Sequence, residues 1–142
     1  MESKIFLPEY ERQRVQRWAE DGYPFETCGL LVGSRQDGEA RVNYITAARN
    51  LNTERARDRY ELDGEDFLRT DREARAIGLE VVGVWHTHPD HPARPSETDL
   101  SQAWPGWSYL ILGLETGRLV DLRSWLLIED RFIEEEVRTW QP

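Results

Sequence analysis

The period of the apolar positions changes several times along the chain, and each change marks a predicted element. From Pro8 to about Asp21, Val15 and Trp18-Ala19 make a narrow apolar stripe, which predicts a helix with Pro8 in its first turn and Gly22 as its stop. Thr27-Cys28-Gly29-Leu30-Leu31-Val32-Gly33 is a short apolar run bounded by glycine and predicts a buried strand. Asp37-Gly38 reads as a hairpin turn into Arg41–Ala47, where Val42, Tyr44 and Thr46 alternate with Asn43 and Ile45. Asn50 to Arg59 is polar and aperiodic, and predicts a loop.

Tyr60-Glu61-Leu62 predicts a brief strand, and Asp63 a cap for a helix from Gly64 to Ile77 that Gly78 closes. Leu79 to Trp85 is almost continuously apolar and rich in valine, the pattern of a central strand. It runs directly into His86-Thr87-His88-Pro89. Asp90–Pro95 has two prolines and no periodicity, so it is a loop. Ser96-Glu97-Thr98-Asp99 opens a short helix that Pro105-Gly106 ends, and Tyr109–Leu114, Leu119–Ile128 and Phe132–Val137 follow as strands. The order predicts an α+β (mixed α/β) domain without internal repeats or low-complexity segments.

Composition narrows the function classes. At 142 residues the expectation is a single domain, 1–142, and six Trp, five Tyr and four Phe argue against disorder despite 32% charged residues. A net charge of −9 weighs against a phosphate-backbone binder, because nothing would replace the condensed counterions. Lys4 is the only lysine, so there is no lysine-rich patch for an anionic membrane; the balance fits a high-salt host or plain genomic composition. Cys28 is the only cysteine, which excludes an internal disulfide and a multi-Cys zinc knuckle. Ile5-Phe6-Leu7 is far shorter than a secretory apolar region, and no apolar run exceeds strand length, so a cytoplasmic address is expected.

The three histidines, His86, His88 and His91, fall within six positions. His86 and His88 are two apart at the end of a predicted strand, so both imidazoles leave one face while Thr87 points the other way. Such a pair suits zinc, although two partly exposed strand residues would give the same spacing. Asp99, eleven positions after His88, would sit in the first turn of the next helix and could supply a third ligand. Two histidines and one carboxylate leave a tetrahedral position open, the catalytic pattern. Ser96-x-x-Asp99 also reads as a capping box. His91 is a rival ligand but reads as an exposed loop residue beside Pro92. Cys28 reads as a small buried core group, and Trp104 and Trp107, flanking Pro105-Gly106, as groove-lining aromatics.

His86-Thr87-His88-Pro89, a six-residue gap and Ser96-x-x-Asp99 resemble the signature of the JAMM (MPN-plus) zinc metalloproteases. That family also carries an upstream Glu-x-Cys-Gly-Leu-Leu-x-Gly segment, and Glu26-Thr27-Cys28-Gly29-Leu30-Leu31-Val32-Gly33 fits it at every named position. The predicted element order follows the family across nearly the whole chain. The resemblance implies an MPN/JAMM-like domain with a central mixed sheet flanked by helices. It implies Zn2+ on His86, His88 and Asp99, with Glu26 as general acid/base. Composition alone would not choose Glu26 among seventeen glutamates, although a charge abutting a glycine-rich apolar strand is poorly placed without a role. Ser96 would donate to the developing oxyanion.

Small bacterial members of the family act on C-terminal tails of ubiquitin-like sulfur-carrier proteins, so the resemblance implies that substrate. A tail is expected to add as a strand beside the Leu79–Trp85 edge, with Arg55, Arg57 and Arg59 as a clamp for an acidic carrier or simply a solvated loop. The alternatives are a noncatalytic scaffold of the same fold and a zinc hydrolase of a small amide. A deaminase needs His-x-Glu and Pro-Cys-x-x-Cys, and neither occurs.

Overall fold

The computed structural model describes residues 3–140; the outermost two residues at each end of the expected 1–142 span lie outside the described residues. The elements are β1 (Lys4–Pro8), α1 (Glu9–Gly22), β2 (Cys28–Gln36), β3 (Glu39–Ala48), α2 (Gly64–Ala76), β4 (Glu80–Pro89), α3 (Glu97–Gln102), β5 (Ser108–Glu115), β6 (Arg118–Ile128) and β7 (Arg131–Trp140). The strands form one mixed sheet in the order β1-β3-β2-β4-β5-β6-β7, and β1 also pairs with β7, so the sheet closes on itself. β1 runs parallel to both its neighbours and β4 runs parallel to β5; the other pairs are antiparallel.

Helices cover the two faces of this sheet. α1 lays Val15 and Ala19 onto Ile5, Leu7, Leu31, Ile45, Trp85, Leu110 and Leu112. On the other face, Phe67 of α2 packs with Leu30, Val81, Val84 and Tyr109. Double coverage explains why Cys28–Gly33, Val81–Pro89 and Ser108–Leu114 are buried at every position and read as continuous runs rather than alternations. The expected α+β domain, a central mixed sheet flanked by helices, is the observed one. Among the described residues no helix is long and apolar enough to cross a membrane.

The structure departs from the sequence reading in several places. Ile5-Phe6-Leu7 belongs to a strand, β1, that closes the sheet, with Ile5 and Leu7 fully buried and Phe6 covered by the Arg41 guanidinium at 4.8 Å. Three consecutive apolar residues show no alternation, and the partners that make it a strand, β3 and β7, are remote in sequence. Pro8 ends this strand and stands at the N-cap of α1, one residue ahead of the helix. The hairpin turn forms as expected, with Asp37 and Gly38 both at positive φ. Tyr60-Glu61-Leu62 contributes only an isolated bridge from Leu62 to Asn50, and α3 ends at Gln102, ahead of Pro105.

The largest correction concerns Leu79–Trp85. Its strand runs on through His86-Thr87-His88-Pro89 and has β2 on one side and β5 on the other. Gly29 to Gly33 pair along one side and Ser108 to Leu110 pair with Gly83 to Trp85 on the other, so this stretch is an inner strand and not the sheet edge expected for an added substrate strand.

Candidate metal centre

β4 carries His86 and His88 out on one face, with ring centroids 5.0 Å apart. Thr87 points the other way; its Oγ1 accepts from the Thr27 N–H at 2.9 Å, and its own N–H donates to Thr27 O at 3.0 Å. That exchange ties the histidine strand to the segment carrying Glu26. The Ser96-x-x-Asp99 capping box is also formed: Ser96 Oγ accepts from the Asp99 N–H at 3.0 Å, and Asp99 Oδ2 accepts from the Ser96 N–H at 2.8 Å. The cap and ligand readings of this motif are therefore compatible, because the cap aims the Asp99 carboxylate at the histidines.

His88 Nδ1 lies 2.8 Å from Pro92 O, an acceptor, so this nitrogen carries the proton and donates. In the neutral ring Nε2 then holds a lone pair that faces Asp99 Oδ2 at 3.1 Å. A cation between them satisfies both, either a second proton on Nε2, which makes a hydrogen bond to Asp99, or a metal ion. Burial pulls the His88 imidazole down, but Asp99 and the Pro92 carbonyl outweigh it and hold the ring above its ordinary value. Burial alone would raise Asp99, yet the hydrogen bond from His88 and the nearby His86 bring it down to about 2. The carboxylate is thus charged and ready as a ligand.

His86 is fully buried, and neither ring nitrogen has a hydrogen-bond partner among the described residues. Nδ1 is 3.7 Å from Glu26 Oε1, and Nε2 is 3.8 Å from Asp99 Oδ1. Leaving such groups unsatisfied costs about 1–3 kcal/mol each. A metal ion on one of them removes part of that cost, which is the structural test that the residues fit a metal. Donor atoms of Glu26, His86 and His88 all lie within 4.8 Å of one another. Asp99, the third ligand expected from the sequence, is not in that group but stands beside it, 3.1 Å from His88 Nε2 and 3.8 Å from His86 Nε2, while Glu26, which the family resemblance implies as acid/base, is within it.

These groups open onto a cavity of about 470 Å³ lined by Glu26, Tyr60, His88, Ser96 and Asp99 among others. Ser96 is exposed at its rim. Arg55 and Arg59 line the same cavity, and both pair with Asp58, which offsets their charge. Arg57 instead lines an adjoining groove with Tyr23 and Phe25. His91 is exposed and lines the same cavity. Trp104 and Trp107 line a second groove with Phe67 and Tyr109, as expected. Cys28 is buried, again as expected.

Two contributors were not legible in the sequence. Tyr60 stacks on His86 with centroids 4.4 Å apart and planes 21° apart. Burial, together with the Asp99 charge, pushes its phenol well above its ordinary value, so Tyr60 is a neutral wall. The other is the Pro92 carbonyl that orients His88; the proline-rich loop was its only signal.

Residues 8–128 match the family of prokaryotic homologues of the JAB domain. The chain belongs to this family. It is similar to a desampylase from Haloferax volcanii, 35% identical over 116 residues that cover 77% of this chain and 80% of the relative. A CysO-cysteine peptidase from Mycobacterium tuberculosis is 28% identical over 116 residues, covering 81% of this chain and 77% of that one. Among solved structures, a protein from Desulfitobacterium hafniense superposes with a TM-score of 0.85 at 31% identity, over 97% of this chain and 94% of that chain. The JAMM resemblance drawn from the two motifs therefore stands, and the JAB-family relatives named here are peptidases or isopeptidases.

Proposed function

We propose that this JAB-family chain is a zinc-dependent peptidase acting at the C-terminal tail of a ubiquitin-like sulfur-carrier protein. The observation that carries the reading is Glu26: a buried carboxylate at the floor of the cavity, beside two imidazoles and an oriented aspartate. A scaffold has no use for that arrangement. His86, His88 and Asp99 would hold the zinc. When bound, zinc lowers the pKa of water toward ~7 and polarises a carbonyl.

Glu26 takes one proton from the attacking water as its oxygen bonds to the carbonyl carbon. It returns that proton to the nitrogen as the C–N bond breaks, leaving a carboxylate on the tail and a free amine. Ser96 Oγ acts as an acceptor in the helix cap, so its own O–H remains available to donate to the developing oxyanion. Since Leu79–Trp85 is an inner stretch of the sheet, the tail lies in the open cavity, which supports recognition of a narrow, extended segment. The names desampylase and CysO-cysteine peptidase support a tail of this kind as substrate.

The test uses a ubiquitin-like carrier ending in Gly-Gly and extended by one residue, followed by mass measurement. The zinc-loaded enzyme is expected to remove the extension. Glu26→Gln is expected to keep zinc and lose ~10²–10⁴-fold in turnover. An intact carrier alongside cleavage of small amides would replace this reading with the small-molecule hydrolase. A protein without bound zinc or any turnover would return it to the scaffold.

A further inference from the structure

We infer that Asn50 is a positioning residue that sets Glu26 for proton transfer; this rests on Glu26 being the acid/base of the proposed reaction. Glu26 precedes β2, whose ladder with β3 begins at the Cys28↔Ala48 pair. Sheet pairing therefore does not fix its main chain. Its carboxylate has no arginine or lysine partner among the described residues, and it stands 3.7 Å from His86 Nδ1, beyond hydrogen-bond distance. Something else must hold a buried charge in one place.

The loop after β3 does so. The Glu26 N–H donates to Ala56 O, and the Glu26 carbonyl accepts from Asn50 Nδ2 at 3.0 Å. Extending the β2–β3 register by two residues sets Asn50 opposite Glu26, so the side-chain amide takes over where backbone pairing stops. The same Nδ2 donates to Arg59 O at 3.1 Å, while Oδ1 accepts from the Asn52 and Glu61 N–H groups, each at 2.9 Å. Both donor protons and both acceptor sites are used, which permits a single amide orientation.

Asn50 is itself anchored through its neighbour. The Arg49 N–H donates to Asp66 Oδ2 at 2.9 Å, and Arg49 O accepts from the Asp63 N–H at 3.2 Å, both at the start of α2. The Asn50 side chain thus links the loop that carries Tyr60 over His86 to the main chain of Glu26, and the Arg49 backbone ties this junction to α2. Asparagine is required because an aspartate would aim an oxygen at two carbonyls, and alanine would leave both donors missing.

The experiment compares Asn50→Asp and Asn50→Ala on the extended carrier. Both are expected to lower kcat by ~10²-fold, the effect of about 1 Å misplacement of a reacting group, with KM changed by no more than about twofold. Zinc content after dialysis should stay near wild type, and Tm should fall without loss of the cooperative transition, because hydrogen bonds of the amide are lost. In the Glu26→Gln background, adding Asn50→Asp should lower the residual turnover by less than about threefold, because the group it positions is gone. Wild-type kcat in both variants overturns the inference. So does loss of zinc or of folding in the isosteric Asn50→Asp, or a full further loss on top of Glu26→Gln. Near wild-type turnover by Glu26→Gln itself would instead sink the acid/base reading, whatever Asn50 does.

Discussion

His88 and Asp99 face each other through Nε2 and Oδ2 at 3.1 Å, while the far nitrogen of the same ring is held by Pro92 O at 2.8 Å. The ring cannot turn away without losing a hydrogen bond, and the carboxylate is held by the helix cap. A lone-pair nitrogen and a charged oxygen locked together are a cation site in waiting. Asp99→Asn keeps the shape but removes the charge, so zinc content after dialysis should fall sharply while Tm changes little. Chelation of the wild type should abolish turnover, and added zinc should restore it. Full activity in the chelated protein would refute the metal assignment.

Ser96 serves the cap and faces the cavity, and the two roles have separable signatures. Loss of the cap in Ser96→Ala costs ~1 kcal/mol of stability. Loss of an oxyanion donor costs ~10²–10³-fold in kcat. Thermal melts and turnover measured on one preparation distinguish them. A small fall in Tm with unchanged kcat would leave Ser96 only as a cap.

Gly29 sits where β2 is closest to Trp85. A Cβ there would meet Thr46 O at 1.9 Å and Trp85 Nε1 at 2.3 Å, and these two atoms are themselves hydrogen-bonded at 2.8 Å. Neither can yield, since Thr46 O is backbone and Trp85 is buried in the core. Gly29→Ala should cost at least the ~1–3 kcal/mol typical of overpacking, read as a lower midpoint in denaturant. An unchanged midpoint would mean that the two strands can separate more easily than their packing indicates.

Burial, reinforced by the charges of Glu26 and Asp66, pushes the Cys28 thiol up to about 12. At about pH 8 almost none of it is thiolate, the reactive form. A thiol reagent should leave the native protein unmodified and take up one equivalent per chain in denaturant. Fast labelling of the folded protein would contradict the closed β2–β4 pairing around it.

Much of the site was legible in the sequence because its motifs are local. A spacing of two places His86 and His88 on one face of any strand, and Ser96-x-x-Asp99 caps any helix that starts there. Asp63 and the Asp37-Gly38 turn were legible for the same reason. β1 was not, since in five residues Ile5, Phe6 and Leu7 are all apolar and show no alternation, and its parallel partners β3 and β7 lie far from it in sequence. The supposed edge at Leu79–Trp85 failed similarly: a continuous apolar run shows that both faces are covered but says nothing about which strands lie alongside.

The sequence by itself determined that His86 and His88 share one strand face, that Ser96 and Asp99 form a helix cap, and that a family motif singles out Glu26. Only the tertiary structure decided that Glu26 lies against His86, that His86 has no hydrogen-bond partner among the described residues, and that Asn50 donates to the Glu26 carbonyl where the ladder ends. The reason is distance along the chain. Ligand spacing is set by the periods of a strand and a helix turn, whereas the approach of Glu26, Asn50 and Tyr60 to His86 depends on packing between segments that no local period connects.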